Sequence, residues 1–257
     1  MSAATAETWL LDLGNSRAKL ARLERGAPTG VVALDWSQAD FAERVHGLAE
    51  AWPRPRRVLV ASVASVERTR RIAELLPDAA AIKPEWLRSP RHACGVGNRY
   101  AKPERLGIDR FLSMVAVHAH ASGAAIVVGC GTALTLDAVA SDGNHAAGLI
   151  TLSPARMLGA LRSETAIADS NPDAFLGGAD DTAAALQAGC RAAAGALVEW
   201  FATRQRAVLG DASVWLHGGW AGAMAAWLTS DGFHAEVFED AVLRGLGIWA
   251  TEICDHP

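Results

Sequence analysis

The chain has 257 residues, of which 51% are hydrophobic and 20% are charged, and its formal net charge is −4. This composition excludes a disordered, collagen-like or disulfide-stapled chain and leaves room for one large or two modest domains. The slightly acidic balance provides no field that attracts nucleic acid, so we expect no nucleic-acid partner. We also expect no membrane span and a cytoplasmic location, because the start lacks a basic signal region and no window holds about 18 uncharged apolar residues.

The cysteines lie far apart, without a CxxC pair or a histidine-flanked cluster: Cys94, Cys130, Cys190 and Cys254. This spacing is typical of reduced thiols in a cytosolic protein, each filling a small apolar gap. We expect His118, His120 and His217 not to bind metal. The first two are two positions apart on a predicted helix and therefore do not share a face.

The N-terminal third is predicted to form strand, turn, strand, turn and strand. Apolar or alternating runs cover 9–11, 17–23 and 31–34, with turn residues between them. Helices and strands then alternate in the order helix 38–52, strand 58–63, helix 68–76 and strand 79–82.

A helix over 110–120 precedes a second series of the same kind, with strands at 124–128, 134–139 and 145–152. The remaining elements are predicted as helices 155–166 and 181–201, strand 212–216, and helices 221–229 and 243–252. Because the two series repeat, we expect two duplicated α/β domains, at 1–115 and 116–257, with a cleft between them.

The first candidate motif is Asp12, Leu13, Gly14, Asn15, Ser16, Arg17, Ala18 and Lys19. A glycine at a tight turn lets backbone N–H groups approach a phosphate. Asp12 at a strand end could hold the water shell of Mg²⁺, and Lys19, on the strand face of Arg17, could offset phosphate charge. The alternative is an ordinary hairpin with a polar tip.

The second motif, GCGTALTLD from Gly129 to Asp137, again offers a close backbone at Gly131 and a hydroxyl at Thr132. Two such hairpins facing one cleft would form a phosphate site. For Asp137, well into the next strand, we favour a structural role as a capping or solvated residue. A later turn, Gly218-Gly219, could pack against a nucleotide or simply pack helix on strand.

The third motif runs from Tyr100 to Arg110, with Pro103 and Gly107 shaping a loop before a helix. Asp109 falls near the helix N-terminus, where a carboxylate is favoured. An ionised carboxylate aimed at a substrate hydroxyl is a plausible general base for phosphoryl transfer. The alternative is that Asp109 is a helix cap and Arg110 a solvated residue.

The chain resembles the type III pantothenate kinases, a family that includes the Bvg accessory factors, in the order and spacing of five motifs. These motifs are DLGNS, Y-x-x-P-x-x-L-G-x-D-R, G-T-A-x-T-x-D, D-T-A-A-A-L-Q-A-G and a late G-G. The resemblance implies a duplicated actin-like (ribonuclease H-like) ATPase fold, a homodimer, ATP, Mg²⁺ and often K⁺ or NH₄⁺. It implies phosphorylation of the primary hydroxyl of pantothenate, the first committed step towards coenzyme A.

By motif position, 12–19 resembles the family's first ATP-phosphate segment and Thr132 its second phosphate contact. The pantothenate pocket is expected from Tyr100, Gly107, Ile108, Asp109 and Arg110, with Asp109 as the base. Thr182 resembles the threonine that reaches substrate from the second subunit, so the resemblance implies that the active site needs the dimer.

Two departures stand out. Many family members carry an acidic residue at the position of Gly129, where it helps to bind a monovalent cation, so K⁺ dependence is in doubt here. The family's Pro-Gly turn is missing from 147–153. Two other functions stay open: another actin-like-fold kinase acting on a sugar or small acid, and a Bvg-accessory-like regulatory or binding protein.

Overall fold

A computed structural model describes residues 7–76, 81–164, 179 and 181–252. Over these residues the strands are β1 Thr8–Leu13, β2 Arg17–Glu24, β3 Ala27–Asp35, β4 Arg57–Ser62, β5 Glu85–Trp86, β6 His92–Ala93, β7 Val96–Gly97, β8 Ala124–Cys130, β9 Ala133–Val139, β10 His145–Leu152, β11 Ala212–His217 and β12 Glu236–Val237. The helices are α1 Phe41–Ala51, α2 Val66–Leu75, α3 Ile108–His120, α4 Pro154–Glu164, α5 Thr182–Leu209, α6 Ala221–Ser230 and α7 Ala241–Glu252.

The chain forms two compact units, Met1–His120 with Asp240–Pro257, and Ala121–Glu239. The sequence-based division at 115/116 placed the closing helix in the second domain. The structure places α7 in the first unit, because its apolar face packs on α3: Phe111 and Trp249 meet edge to face at 6.3 Å. A Cβ at Gly245 would lie 2.2 Å from the Leu112 carbonyl oxygen, so this glycine permits the close approach of the two helices.

The first unit contains a five-stranded sheet in the order β3-β2-β1-β4-β5. β1 runs antiparallel to β2 and parallel to β4. The inward residues of β1, Trp9, Leu11 and Leu13, are buried in a core that also contains Phe41 of α1 and Ile72 of α2. This central, buried strand ends at the turn that carries the first glycine motif.

The second unit repeats this order of strands as β10-β9-β8-β11-β12. Every residue of β8 is buried, and its core is completed by α5 and α6 through residues such as Phe201 and Met224. The predicted repeat of strand, turn, strand, turn, strand is therefore confirmed in both halves.

Some short elements differ from the prediction. Of the predicted strand 79–82, residues 79 and 80 lie outside the described residues, and 81–82 are not a strand. The strand that pairs with β4 is instead Glu85–Trp86. The two-residue strands β6, β7 and β12 were not predicted, because pairs of this length carry no periodicity. In the described part of the chain no helix is both long and apolar enough to cross a membrane.

Candidate active site

Three hydrogen bonds fix the conformation of the first hairpin turn. The Gly14 N–H donates to the Arg17 carbonyl at 3.0 Å, and the Trp36 indole N–H donates to the Gly14 carbonyl at 2.9 Å. The guanidinium of Arg68 donates to the Asn15 carbonyl. A Cβ at Gly14 would lie only 3.3 Å from the Arg17 oxygen, so the turn favours glycine.

The side chains of the first motif divide into three groups. Those of Leu13 and Ala18 are buried in the core, so they could meet a ligand only through their backbone. Residues 15–17 are exposed at the tip, where Arg17 approaches Asp35 at 4.0 Å. Asp12 and Lys19, with partly buried side chains, lie between these groups.

Asp12 lies among three other charged side chains, those of Lys19, Asp109 and Asp240. It pairs directly with Lys19 in the β1–β2 register, so the two side chains share a face. The pKa of Asp12 is raised to about 7, first by burial and then by the carboxylates of Asp109 and Asp240, while the Lys19 ammonium lowers it. The structure therefore brings Asp12, Lys19 and Asp109 of the predicted set within electrostatic reach of one another.

Asp109 lies in the first turn of α3, one residue inside the helix rather than at its cap. Its Oδ1 accepts the backbone N–H of Arg110 at 2.9 Å, which orients the carboxylate at the positive end of the helix. A Cβ at Gly107 would lie 2.5 Å from this Oδ1 and 3.8 Å from a Val63 methyl group. Gly107 thus leaves the space that the carboxylate occupies.

Arg110 is buried, with 9% of its surface exposed, so the alternative of a solvated residue is wrong. Its guanidinium donates to the Tyr100 hydroxyl at 3.2 Å. The loop between them is fixed by Asn98, whose amide donates to the carbonyls of Pro90 at 3.1 Å and Pro103 at 3.0 Å, and whose Oδ1 accepts the Tyr100 N–H at 3.0 Å. Tyr100 and Arg110 are therefore held together before any ligand arrives.

A cavity of about 340 Å³ opens beside Gly107 in the same unit. Its walls are of mixed polarity and comprise Ser62, Val63, Trp86, Leu87, Arg88, Ser89, Glu104, Arg105, Leu106, Gly107 and Ile108. Its size is in the range of small-molecule sites. Gly107 and Ile108 are the predicted site residues that contribute to it.

In the second unit, the turn of the second glycine motif is tied to the Gly218-Gly219 turn. The Gly131 N–H donates to the Ala133 carbonyl at 3.1 Å, and the Gly131 carbonyl accepts the Trp220 indole N–H at 2.8 Å. Gly218 has φ +104°, and a Cβ there would lie 2.4 Å from the Cys130 oxygen. The double glycine thus packs against this turn, beside the half-buried Thr132.

Gly129 is enclosed by its neighbours. A Cβ at this position would lie 2.4 Å from Thr135 Oγ1 and 3.3 Å from His217 Nε2. Along the same hairpin, Asp137 is buried and its Oδ1 lies 3.0 Å from the Nε2 of buried His145. The structural role expected for Asp137 is therefore that of a buried pair, not of a cap or a solvated residue.

The second unit also contains a cavity of about 310 Å³ between α4, α5 and α6. It is lined by Pro154, Ala155, Leu158, Gln187, Cys190, Arg191, Trp220, Ala223 and Trp227. None of the predicted site residues lines it. Trp220 connects this cavity to the Gly131 turn through the indole hydrogen bond described above.

Thr182 begins α5 and is exposed, next to Asp181, which caps the helix by accepting the Ala184 N–H at 2.7 Å. Among described residues, no group of three or more His, Cys, Asp or Glu side chains is arranged to hold a metal ion. The described cysteines are free thiols, and burial raises the pKa of Cys94 and of Cys130 to about 12. Cys254 lies outside the described residues.

Comparisons with known proteins show which family the chain matches. Residues 9–204 match the family model of the type III pantothenate kinases. A type III pantothenate kinase of Stenotrophomonas maltophilia strain K279a is 37% identical over 245 residues, which cover 95% of this chain and 97% of the relative. One of Xylella fastidiosa strain 9a5c is 38% identical over 249 residues, with the same coverage.

The chain belongs to the type III pantothenate kinase family. Solved structures support the expected actin-like fold. A conserved Campylobacter jejuni protein, provisionally described as a Baf family transcriptional activator, matches with a TM-score of 0.61 at 17% identity, over 96% of this chain and 99% of its own. Component A of Acidaminococcus fermentans (R)-2-hydroxyglutaryl-CoA dehydratase matches with a TM-score of 0.55 at 14% identity, over 96% of both chains. These likenesses concern the fold alone.

Two contacts of the candidate site are not predicted by the sequence. Asp240 lies close to Asp12 and Lys19 in space but more than 200 positions away in the chain. An aspartate before an apolar helix could have been read as a helix start, but not as a partner of Lys19. Nothing in the sequence indicates the hydrogen bond from the Trp220 indole to the Gly131 carbonyl.

Proposed function

We propose that the protein transfers the γ-phosphoryl group of ATP to the primary hydroxyl of pantothenate, the first step of coenzyme A synthesis. The observation that carries this proposal is that Asp12 pairs with Lys19 in the strand register and feels the charge of Asp109, in a chain of this kinase family. One strand end thus offers a carboxylate and an ammonium for nucleotide phosphates, and the adjacent helix start offers a base for the hydroxyl.

In this mechanism the Asp109 carboxylate accepts the proton of the substrate hydroxyl as its oxygen attacks the γ-phosphorus and the bond to the leaving ADP oxygen breaks. The Arg110 N–H and the free space at Gly107 keep Oδ1 in one orientation. The Gly14 turn brings backbone N–H groups to the phosphates, and Lys19 offsets their charge. We assign Thr132 a second phosphate contact through its hydroxyl.

The residues present fit Mg²⁺ held mainly by the nucleotide. This ion commonly binds through one or two carboxylates plus substrate phosphates and keeps several waters. Asp12 provides one carboxylate at a strand end, and burial, with the neighbouring carboxylates of Asp109 and Asp240, disfavours its charged form until a cation binds. When bound, the ion would supply charge that stabilises the phosphoryl oxygens. Asp12 would hold it through water.

The pantothenate pocket is proposed to lie between the Tyr100–Arg110 pair and the cavity beside Gly107. Pantothenate is a carboxylate with a short, partly apolar chain. The Arg110 guanidinium, held by Tyr100 at 3.2 Å, can pair with such a carboxylate, and the mixed walls of the cavity suit the rest of the molecule. This assignment also sets the proposal apart from a kinase of neutral sugars, whose substrates have no carboxylate.

The test is ADP release by the purified protein with ATP and Mg²⁺, with and without pantothenate, and with a panel of sugars and small hydroxy acids. We expect turnover that depends on pantothenate. Turnover with a sugar alone would favour another kinase of this fold. A folded protein with no turnover on any of these substrates, in K⁺, NH₄⁺ or Na⁺ buffer, would contradict the proposal and favour a regulatory or binding protein.

We further propose that the active form is a homodimer in which Thr182 reaches the substrate of the partner subunit. Thr182 is exposed at the start of α5, as this role requires. Asp109→Asn and Thr182→Ala proteins, each of low activity, are mixed after mild dissociation. Mixed dimers then contain one site with both native residues, so activity should return to about a quarter of the wild-type value. No recovery, with mixed dimers present, would contradict the shared site.

A further inference from the structure

Asp240 is a residue of the first unit for which the reaction above gives no role. It directly precedes α7, and its backbone has φ +54°, a left-handed conformation that is uncommon outside glycine. Aspartate and asparagine tolerate this conformation better than most residues. Its Oδ1 accepts a hydrogen bond from Lys19 Nζ at 2.8 Å, and both side chains are 25% exposed.

The hydrogen bond from Lys19 to Asp240 matters because Lys19 has a second carboxylate nearby. Lys19 faces two carboxylates from different elements: Asp12, its partner in the strand register, and Asp240, which comes from the start of α7. A lysine side chain is long and flexible and would otherwise be drawn to the nearest anion on its own sheet face. The structure shows its ammonium bonded to Asp240.

We propose that Asp240 is a positioning residue that holds the Lys19 ammonium away from the Asp12 carboxylate, so that both groups remain available to the nucleotide and its ion. The inference rests on the proposed function, because it takes Asp12 and Lys19 as the nucleotide-phosphate residues. In this role Asp240 acts through Lys19, which it holds by the hydrogen bond at 2.8 Å.

Two substitutions remove the carboxylate without straining the backbone. Asp240→Gly adopts φ +54° freely and also suits the residue before a helix. Asp240→Asn keeps the shape and an acceptor oxygen but loses the charge. The control is Arg25→Gly, since Arg25 has φ +53° and is exposed in the turn between β2 and β3.

Nucleotide binding is measured by calorimetry with MgATP in the absence of pantothenate, and KM and kcat for ATP are measured in its presence. We expect Asp240→Gly to weaken MgATP binding and raise the KM for ATP roughly tenfold, with kcat within about twofold. Asp240→Asn should have an intermediate effect, because its amide oxygen still accepts from Lys19. Arg25→Gly should leave both quantities unchanged.

A double-mutant cycle with Lys19→Met then separates positioning from a structural role. If Asp240 acts through Lys19, adding Asp240→Gly to Lys19→Met changes MgATP affinity no further. Equal losses in both backgrounds, or an unchanged affinity in Asp240→Gly, would overturn the proposal. Because the calorimetric cycle needs no turnover, it can support the role of Asp240 even if pantothenate-dependent ADP release is absent, which would contradict the proposed function alone.

Discussion

The two glycine hairpins share one topology but differ in chemistry. In the first, β1–β2, a partly buried carboxylate and an ammonium face the same side, next to the carboxylates of Asp109 and Asp240. In the second, β8–β9, the equivalent strand end carries Gly129, and the turn is tied to Trp220 by a hydrogen bond. The one carboxylate in that hairpin, Asp137, is buried beside His145.

This difference indicates that two units of the same topology can contribute different chemical groups to a kinase site. The first hairpin provides ionisable groups, whose charge can respond to a nucleotide, an ion or a proton. The second provides an uncharged turn, tied by hydrogen bonds, that offers backbone groups and the Thr132 hydroxyl. Substitutions that remove charge from the first unit, or add it to the second, therefore test the comparison directly.

The largest effect is expected from Asp109→Asn. Asparagine keeps the size of the side chain and an oxygen that can accept the Arg110 N–H, but it cannot take a proton. We expect kcat to fall roughly 10²–10⁴-fold with the KM for ATP little changed. Steady-state ADP release and a circular-dichroism melt measure activity and folding. A folded variant with near-normal kcat would remove Asp109 from the role of base.

The next effect is on stability and comes from Asp12→Asn. The folded-state pKa of Asp12, about 7, lies above its ordinary value of 3.8. The contribution of the protonated carboxyl to the free energy of unfolding is therefore fully present below pH 3.8 and is lost as the pH rises through 7. Near pH 4 we expect the asparagine variant and the wild type to have the same free energy of unfolding. Towards pH 7 the variant should become more stable than the wild type at the same pH, by at most about 4 kcal/mol, and the difference should not grow above pH 7.

Urea unfolding of wild type and Asp12→Asn, without nucleotide, from pH 4 to 8 measures this difference. The control is Asp35→Asn: hydrogen bonds from the Ser37 N–H and hydroxyl lower the pKa of that exposed carboxyl. Removal of the Asp35 carboxylate should therefore lower the free energy of unfolding above pH 4, whereas removal of the Asp12 carboxylate should raise it. A gain in Asp12→Asn that does not vary with pH would show that ionisation of Asp12 is not the cause.

A smaller loss of activity is expected from Gly107→Ala. The new methyl group would lie 2.5 Å from Asp109 Oδ1, and the carboxylate is the group that can move. A displacement of about 1 Å in a reacting group costs on the order of 10² in rate, so we expect kcat to fall by up to that factor. Gly47→Ala in α1, where a Cβ meets nothing within 4 Å, is the matched control. Equal activity of the two variants would contradict the steric argument.

The sequence predicts the repeated strands and the glycine turns between them well, because both leave local signals. Alternating and apolar runs located β1 to β4 and β8 to β11, and glycine turns located the hairpins. The segment from Tyr100 to Arg110 was correctly placed at a helix start. A position near that start and the order of motifs were sufficient to bring Asp109 into the candidate site.

The features that escaped prediction depend on contacts between distant parts of the chain. The seating of α7 on α3 follows from Gly245 and Trp249, more than 100 residues from their partners. The bond of Lys19 to Asp240 has the same origin. The burial of Arg110 and Asp137 depends on tertiary packing, which local polarity cannot indicate, since both residues are charged.

The last prediction concerns charge added to the second hairpin. Its Gly129 has no carboxylate and is enclosed by Thr135 and His217, so we expect wild-type ADP release to change less than about twofold between K⁺, NH₄⁺ and Na⁺. Gly129→Asp should not create a cation site. Its Cβ would meet Thr135 Oγ1 at 2.4 Å, and overpacking of this kind costs about 1–3 kcal/mol. Gly123→Ala, just before β8 and with nothing within 4 Å of the added Cβ, is the control. A stable Gly129→Asp protein with K⁺-dependent activity would show that the second hairpin can accept charge and that its neutrality is not fixed by packing.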